Sequence, residues 1–507
     1  MIRILAFAIA LGIATPLAAS DLYRIWLDGK PESGAKLADT YRTVLSLKGR
    51  FTDALLSQEE VATLGRQGFR LEFVQKDPEG LMRRVAASPD RGHFRSETEM
   101  LQELRMLAAE HPRLVRLEDF GDSWEKGAGL GGHDLWAVGV FSATADSRQA
   151  PAALFLGGVH SREVATTEVL TEFIHRLVKG HATDPQIRHL LDTRRLWIVP
   201  LLNPDGREYV LSTDAWWRKN RHRFPASGGV GVDLNRNFPF YWASGLGSSD
   251  NPASAIYRGE APLSEPETSA LGAFVTRVAP AASLSFHAYG QYILTPYGYP
   301  ERRPEDRTAY ASLGRELSEQ TGYPWGTVSE MLGYHSSGRH DDWLYGMRRI
   351  LSMEMELGRT FFPEQPELEV LNRIATGACL YVARAAGEWV RASLSPVSPP
   401  PPGGKAASES PERVMVLELT NGGLADARTV RWRFEGGSAA LMSPSSGIVA
   451  TIPGVRHAPS TVRLPITMRR PVSGLVSSSK PLVLVVTSNA ERAEIPLEPT
   501  ARSVPGE

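Results

Sequence analysis

The chain is very poor in cysteine. It contains one, Cys379, among 507 residues, so no disulfide can form within the chain. It also lacks an excess of charge of either sign. It contains 56 Lys and Arg and 57 Asp and Glu, so the formal net charge is −1. Nucleic acids and anionic membranes attract proteins with a basic excess, so we expect neither as a partner.

Long apolar runs are lacking beyond the N-terminus, so no membrane-spanning helix is expected in the mature chain. At the N-terminus, Arg3 precedes an apolar run over residues 4–13, and residues 18–20 (Ala-Ala-Ser) offer small side chains for cleavage. This pattern is typical of a secretory signal peptide. We therefore expect residues 1–20 to be removed and the mature protein to be secreted or periplasmic, with no stable membrane insertion.

The rest of the chain divides into three folded parts and a linker. Residues 21–90 predict a small α+β module, such as a pro-segment or a docking domain. Residues 91–392 alternate apolar strands with helical patterns, which predicts an α/β domain whose mixed, largely parallel sheet is covered by helices on both faces. Residues 393–412 are rich in Pro, Gly and Ser and predict a linker. Residues 413–507 carry short alternating strands divided by turn residues, typical of a β-sandwich.

A His and a Glu lie three residues apart, directly after the predicted strand from Ala152 to Leu156. An imidazole nitrogen and a carboxylate oxygen, here those of His160 and Glu163, are two of the three protein ligands that a catalytic zinc needs. His287 follows another buried strand pattern, and such sheets gather ligands beyond the carboxyl ends of their strands. These three residues predict one bound zinc per chain.

Two further groups offer the remaining chemistry of a hydrolytic site. Asn235 and Arg236 present an amide beside a planar guanidinium, suited to gripping a carboxylate. Glu354 and Glu356 interrupt an apolar strand pattern and share one of its faces, because side chains alternate along a strand. Charges in an apolar strand are costly unless they are paired or used, so one of these is expected to be a general base that activates water.

These residues, in this order, resemble the zinc carboxypeptidase family typified by carboxypeptidases A and B, over roughly residues 91–390. The motifs that carry the resemblance are His-x-x-Glu, Val-Asp-x-Asn-Arg-Asn, a His at a strand end, Tyr-x-x-Ser-Gly, Asp-Trp and Glu-Leu-Gly. The resemblance implies a metallocarboxypeptidase that hydrolyses the C-terminal residue of peptides or proteins. It implies the same zinc ligands, with Asp233 orienting His160, Glu356 as the general base and Arg221 over the scissile carbonyl oxygen.

The resemblance also implies which residues bind substrate. Asn235 and Arg236 would hold the terminal carboxylate with help from Arg162, Tyr334 would close over the substrate, and Glu354 and Asp341 would line the side-chain pocket. His335 and His340 flank the Tyr334 loop and could contact substrate.

The preferred terminal residue is left open by the sequence. Asp341 precedes the Asp-Trp pair, as in the carboxypeptidase B type, which prefers Lys or Arg. However, Arg339 could neutralise Asp341, so mixed or aromatic specificity and cell-wall peptides stay as alternatives. An amidase on peptidoglycan stem peptides is the alternative enzyme, and a non-catalytic adhesin is the alternative outside enzymes. The presence of all the ligands and of Glu356 argues against the adhesin.

Overall fold

The computed structural model describes residues 20–27, 37, 40–47, 50–87, 94–145, 150–299, 302–396, 412–435, 439–456, 460–469, 483–488 and 492–496. Residues 1–19 of the predicted signal peptide lie outside these ranges, and its last residue, Ser20, lies inside them. The chain forms two compact units, Met1–Gly92 and His93–Glu507. Within the described ranges, no helix has both the length and the apolar character needed to cross a membrane.

In the described residues, the first unit is a four-stranded antiparallel sheet flanked by helices. Its strands are β1 (Asp21–Trp26), β2 (Arg42–Leu47), β3 (Phe51–Leu56) and β4 (Arg70–Gln75), in the order β2-β3-β1-β4, and its helices are α1 (Gln58–Arg66) and α2 (Pro78–Ala87). Ser57 caps α1 in a reciprocal capping box with Glu60. Apolar side chains such as Ile25 and Leu64 are fully buried in its core. The predicted α+β character is therefore confirmed.

The second unit is built on an eight-stranded sheet. Its strands are β5 (Val115–Asp122), β6 (Asp134–Val140), β7 (Ala152–Leu156), β8 (Arg195–Val199), β11 (Ala282–Ala288), β12 (Tyr292–Thr295), β13 (Trp325–Thr327) and β14 (Leu351–Leu357), and a separate ribbon joins β9 (Arg223–Phe224) to β10 (Gly229–Val230). The strand order in the large sheet is β13-β12-β14-β11-β7-β8-β6-β5. The strands β8, β7, β11 and β14 run parallel to one another. β6 pairs antiparallel with β5 and β8, and β12 pairs antiparallel with β14 but parallel with β13. The predicted mixed sheet is confirmed.

Helices cover both faces of this sheet. The helices described in this unit are α3 (Glu97–Glu110), α4 (Trp124–Gly127), α5 (Ala165–Thr183), α6 (Pro185–Thr193), α7 (Pro204–Ser212), α8 (Pro266–Val278), α9 (Arg307–Thr321), α10 (Val328–Leu332), α11 (His340–Arg348) and α12 (Gln365–Ala385). All five residues of β7 are buried, which requires cover on both sides because successive side chains point to opposite faces. Leu154 packs with Phe274 of α8 on one face, whereas Phe155 contacts Phe173 of α5 on the other.

The parallel strands bring three chain segments to one edge of the sheet. β7 ends at Leu156, and β11 pairs in parallel register with both β7 and β14. In that register His287 lies opposite Glu356, and Ser285 lies opposite Glu354. Because parallel strands end at the same edge, the turn after β7 lies beside the last residues of β11 and β14. This edge carries the candidate site.

The C-terminal part is a β-sandwich of two four-stranded antiparallel sheets, as predicted. One sheet has the order β15-β16-β20-β18 and the other β19-β17-β21-β22. The strands are β15 (Val390–Pro396), β16 (Glu412–Asn421), β17 (Ala427–Glu435), β18 (Met442–Ser443), β19 (Ser446–Ile452), β20 (Thr461–Arg469), β21 (Val483–Thr487) and β22 (Arg492–Pro496). Residues 393–396, predicted as the start of the linker, belong to β15 instead, because β15 pairs with β16. Residues 397–411 lie outside the described part of the chain.

Candidate metal centre

Three predicted ligands converge at the edge of the sheet. Nδ1 of His160 lies 2.8 Å from Oε1 of Glu163, and Nδ1 of His287 lies 3.0 Å from Oε2 of Glu163 and 3.0 Å from Nδ1 of His160. The turn after β7 positions the first two residues, and Gly158 adopts a φ of +59° there. A side chain at that glycine would bring its Cβ within 2.8 Å of Leu201 Cα. All three ligand side chains are buried.

These three residues fit a zinc ion. Nε2 of His160 lies 3.1 Å from a carboxylate oxygen of Asp233, which can only accept, so Nε2 carries the proton and Nδ1 keeps its lone pair. The Nδ1 lone pair of His160 faces Nδ1 of His287 and a carboxylate oxygen of Glu163. A cation bound by all three atoms would stabilise this arrangement. Burial lowers the pKa of His287, but the carboxylates of Glu354 and Glu163 raise it to about 9, so the cluster favours positive charge. Two imidazole nitrogens and a carboxylate, with a fourth position open, are a catalytic zinc donor set.

A second carboxylate and an arginine support the cluster from behind. Asp233 accepts a hydrogen bond from His160 through Oδ1 and from Arg218 Nε (3.0 Å) through Oδ2. Burial alone would raise the pKa of Asp233, but Arg218, with Arg236 and His160, holds it well below its ordinary value. Nη1 of Arg218 lies 3.6 Å from Oε1 of Glu163. Arg218 therefore places a permanent positive charge directly beside the candidate metal ligands.

Arg221, predicted to sit over the scissile carbonyl, does not lie at this cluster. Its guanidinium stacks on the rings of Tyr209, at 3.6 Å from the centroid, and Trp217, at 4.7 Å. The arginine of this segment that reaches Asp233 and Glu163 is Arg218. Both arginines stand in one irregular segment, where no helix or strand period reveals which side chain turns inward.

The two glutamates of β14 have different surroundings. Glu356 lies opposite His287 in the strand register, and burial, with repulsion by Glu163 and Glu354, raises its pKa to about 8. Glu354 is more enclosed. Its Oε2 accepts hydrogen bonds from Arg339 Nη2 (2.8 Å) and Asn235 Nδ2 (3.2 Å). The predicted shared face is confirmed, since both carboxylates interact with His287.

Asn235 and Arg236 lie together in a single 3₁₀ turn, Leu234–Arg236. Nε and Nη1 of Arg236 donate to Gly247 O (2.8 Å) and Asn235 O (2.7 Å), and within the described chain its Nη2 makes no hydrogen bond. The Tyr-x-x-Ser-Gly loop packs against this turn. A Cβ added to Gly338, whose φ is +70°, would come within 2.3 Å of Arg236 O.

Arg162 and Tyr334 complete the set of predicted substrate-binding residues. The Arg162 guanidinium lies 4.4 Å from the ring centroid of Phe361, and burial, with repulsion by Arg218, lowers its pKa to about 10. Tyr334 is partly exposed. Burial, and to a smaller extent Glu356, raises the pKa of its phenol, although Arg236 opposes the shift. Both side chains therefore interact with charged groups of the cluster.

Asp341 is not a free pocket carboxylate. Arg339 Nε and Nη2 donate to its two oxygens at 3.0 Å and 3.1 Å, forming a bidentate ion pair with a fully buried partner. Of the two alternatives that the sequence left open, the structure shows neutralisation by Arg339. His340, the next residue, is also buried, and its backbone N–H donates to Asn235 Oδ1 (3.0 Å).

Comparisons with known proteins agree with this geometry. Residues 100–375 match the family model described as zinc carboxypeptidase. A zinc carboxypeptidase of Saccharothrix mutabilis subsp. capreolus is 34% identical over 273 residues, covering 51% of this chain and 60% of the relative. Carboxypeptidase A2 of Rattus norvegicus is 31% identical over 271 residues, covering 52% and 62% respectively.

A similar fold occurs in the crystal structure of thrombin activatable fibrinolysis inhibitor. The TM-score is 0.63 at 24% identity, covering 72% of this chain and 98% of that chain. The chain spans about six tenths of the length of the two curated relatives above. Since the family model alone matches more than half of the chain, the chain belongs to the zinc carboxypeptidase family.

Proposed function

We propose that the protein is a zinc-dependent metallocarboxypeptidase that hydrolyses the last peptide bond of a peptide or protein. The observation that carries this proposal is the convergence of His160, Glu163 and His287 within 3.0 Å of one another, with Glu356 in register beside them. When bound, zinc supplies a Lewis acid that polarises a carbonyl and lowers the pKa of water.

Glu356 is the proposed general base. Its raised pKa, about 8, gives the carboxylate a stronger affinity for a proton than an exposed glutamate has. It can therefore take a proton from the attacking water and pass it to the departing amine nitrogen. A bound metal ion would oppose this upward shift, so a fraction of Glu356 would be ionised at neutral pH.

Arg218 is the proposed partner of the developing oxyanion. Its guanidinium stays charged at every relevant pH. Asp233 holds it before substrate arrives, through a hydrogen bond from Nε and an ion-pair contact with Nη2. A fixed cation beside a developing negative charge stabilises the transition state without reorganisation.

Arg236 is the proposed anchor of the substrate's terminal carboxylate. Two of its nitrogens are held by backbone carbonyls, which leaves Nη2 for a ligand. Asn235 is already engaged with Glu354, so we assign it a smaller share of this contact. Arg162 adds a second positive charge, and Tyr334 is the side chain expected to close over the bound peptide.

The terminal side chain is proposed to be apolar or mixed rather than basic. The ion pair between Arg339 and Asp341 supports this, because it leaves no unpaired carboxylate at that position. The relative named carboxypeptidase A2 points the same way. The signal-like N-terminus supports export, to the periplasm or the medium, as the proposed location.

Matched peptides that differ only at the C-terminus test the proposed polarity. A peptide with a free carboxylate should be shortened by one residue, and its amidated copy should resist cleavage. Arg236→Gln should reduce this discrimination, whereas Arg277→Gln, which removes a surface arginine paired with Glu118, should leave it intact. Equal rates on both peptides would indicate an endopeptidase, and cleavage restricted to peptidoglycan stem peptides would indicate the amidase.

A further inference from the structure

Each candidate zinc-binding histidine has a carboxylate behind it, and each carboxylate is held by an arginine. Asp233 lies behind His160 and accepts a hydrogen bond from Arg218. Behind His287 stands Glu354, whose Oε2 lies 3.4 Å from His287 Nε2 and 2.8 Å from Arg339 Nη2. The two halves of the site thus repeat one arrangement of ligand, carboxylate and guanidinium.

We propose that Glu354, held by Arg339, is a positioning residue that orients His287 as a metal ligand. This replaces the pocket-lining role that the resemblance implied for Glu354. The proposal rests on the proposed zinc site. It adds to that site a supporting pair, Glu354 and Arg339, behind His287.

The strand register brings Glu354 to this position. Ser285 pairs with Glu354 and His287 with Glu356, so the histidine ring lies on the same face as both carboxylates. Nε2 of His287 is buried and makes no hydrogen bond among the described residues. A buried N–H without a partner is costly, and Oε2 of Glu354, at 3.4 Å, is a carboxylate oxygen that a small ring rotation brings into hydrogen-bond range.

Glu354 itself is held in place. Arg339 Nη2 and Asn235 Nδ2 both donate to its Oε2, and Asp341 holds the other edge of the Arg339 guanidinium. The side chain of Glu354 is only 2% exposed. A carboxylate fixed in this way keeps the His287 proton on Nε2 and the lone pair on Nδ1, the atom that faces His160 and Glu163.

The same contacts argue against a second metal ion. Ligand atoms of His287, His340 and Glu354 lie within 4.8 Å of one another, which is close enough to suggest one. However, the guanidinium of Arg339 already contacts Glu354 Oε2. A divalent cation there would face a fixed positive charge across a shared oxygen, so support of His287 accounts for the grouping better.

Zinc affinity of purified variants tests the proposal independently of turnover. Glu354→Gln keeps the shape of the side chain and removes its charge. We expect its zinc dissociation constant, measured by competition with a chromogenic chelator, to rise about 10- to 100-fold, the usual effect of losing such a partner. Its kcat should fall, with KM and the ranking of peptides ending in Leu, Phe and Lys close to wild type.

The chain offers a matched control on its surface. Glu103 also joins an arginine, Arg95, to a histidine, His175, but belongs to α3. Glu103→Gln should leave zinc affinity unchanged. Arg339→Lys keeps the positive charge but lacks the planar fork that pairs with both oxygens of Asp341 while it reaches Glu354. It should weaken zinc binding in the same direction as Glu354→Gln, and it serves if that variant fails to fold.

The outcomes separate this proposal from the proposed function. Unchanged zinc affinity in Glu354→Gln, together with an altered preference for the terminal residue, would overturn the positioning role and restore the pocket-lining one. Two zinc ions per wild-type chain, with one lost in Glu354→Gln, would overturn it in favour of a second metal site. Wild-type protein that binds no zinc would instead overturn the proposed function, and the positioning role with it.

Discussion

The Nδ1 atoms of His160 and His287 lie 3.0 Å apart, although one belongs to the turn after β7 and the other to β11. Glu163 bridges them, with one carboxylate oxygen near each nitrogen. Two ring nitrogens that face each other across a carboxylate are held together best by a cation between them. We therefore expect each histidine to be necessary for metal binding.

The zinc content of the protein should depend on both of these histidines. His160→Ala and His287→Ala each remove one of three protein ligands, so elemental analysis should show most of the zinc lost from both. His175→Ala, outside the cluster, should keep the wild-type content. Full zinc content in both ligand variants would contradict the assignment.

Glu356→Gln should separate the base from the metal. The amide cannot accept the proton of water, so kcat should fall about 10²- to 10⁴-fold, while zinc content stays at the wild-type value. The acid limb of the rate profile, which we expect below pH 8 because the metal lowers the raised pKa of Glu356, should disappear. Loss of zinc in this variant would instead make Glu356 a ligand.

Substitutions of Arg218 and Arg221 should differ sharply in their effect on catalytic activity. Arg218 contacts Asp233 and lies beside Glu163, so Arg218→Gln should lower kcat on peptides about 10²-fold or more, the scale of losing one oxyanion partner. Arg221 stacks on Tyr209, so Arg221→Gln should cost little activity. Steady-state kinetics of the two variants decide between them, and the reverse ranking would restore Arg221 to the site.

The scaffold of this site is predictable from the sequence, because its signals are local. The predicted bounds of β7, Ala152–Leu156, are the observed ones, since a short apolar run between turn signals is typical of a buried strand. The strand pattern that carries Glu354 and Glu356 is observed as Leu351–Leu357. Parallel strands then bring their ends together by geometry alone.

Side-chain pairing across the site is not predictable in the same way. Arg218 and Arg221 share one irregular segment, and only the tertiary fold selects the first. The ion pair between Arg339 and Asp341 depends on rotamers at the start of α11, so the sequence leaves it as one of two alternatives. The contact of Glu354 with Arg339 joins β14 to that helix start, and no spacing in the sequence reports it.

Glu267 should make stability depend on pH. Burial, and then repulsion by Glu265, raises its pKa from 4.5 to about 8, so the folded state keeps a proton that the unfolded chain releases. Its contribution is fully present below pH 4.5 and is lost as pH rises toward 8, at up to about 1.4 kcal/mol per pH unit. Glu267→Gln should flatten this fall in the free energy of unfolding of the zinc-free protein, measured by urea titration. An equal slope in both proteins would contradict the shift.

The terminal side chain of the substrate should not be selected by Asp341. Its carboxylate is fully buried and paired with Arg339, so its charge is already neutralised before substrate arrives. Wild-type kcat/KM should therefore be higher on peptides ending in Leu or Phe than on those ending in Lys. Asp341→Asn should leave that ranking unchanged, and it should somewhat improve peptides ending in Glu, because Arg339 then loses one of its two carboxylate partners.

The neighbouring carboxylate provides the control for this prediction. Asp342 accepts hydrogen bonds from Gly298 N–H rather than from an arginine, and its asparagine variant can keep one of these. Asp342→Asn should therefore change no preference at all, including that for Glu. If the wild type strongly favours Lys and Asp341→Asn alone abolishes that preference, the ion pair must open on substrate binding and Asp341 reads the basic side chain after all.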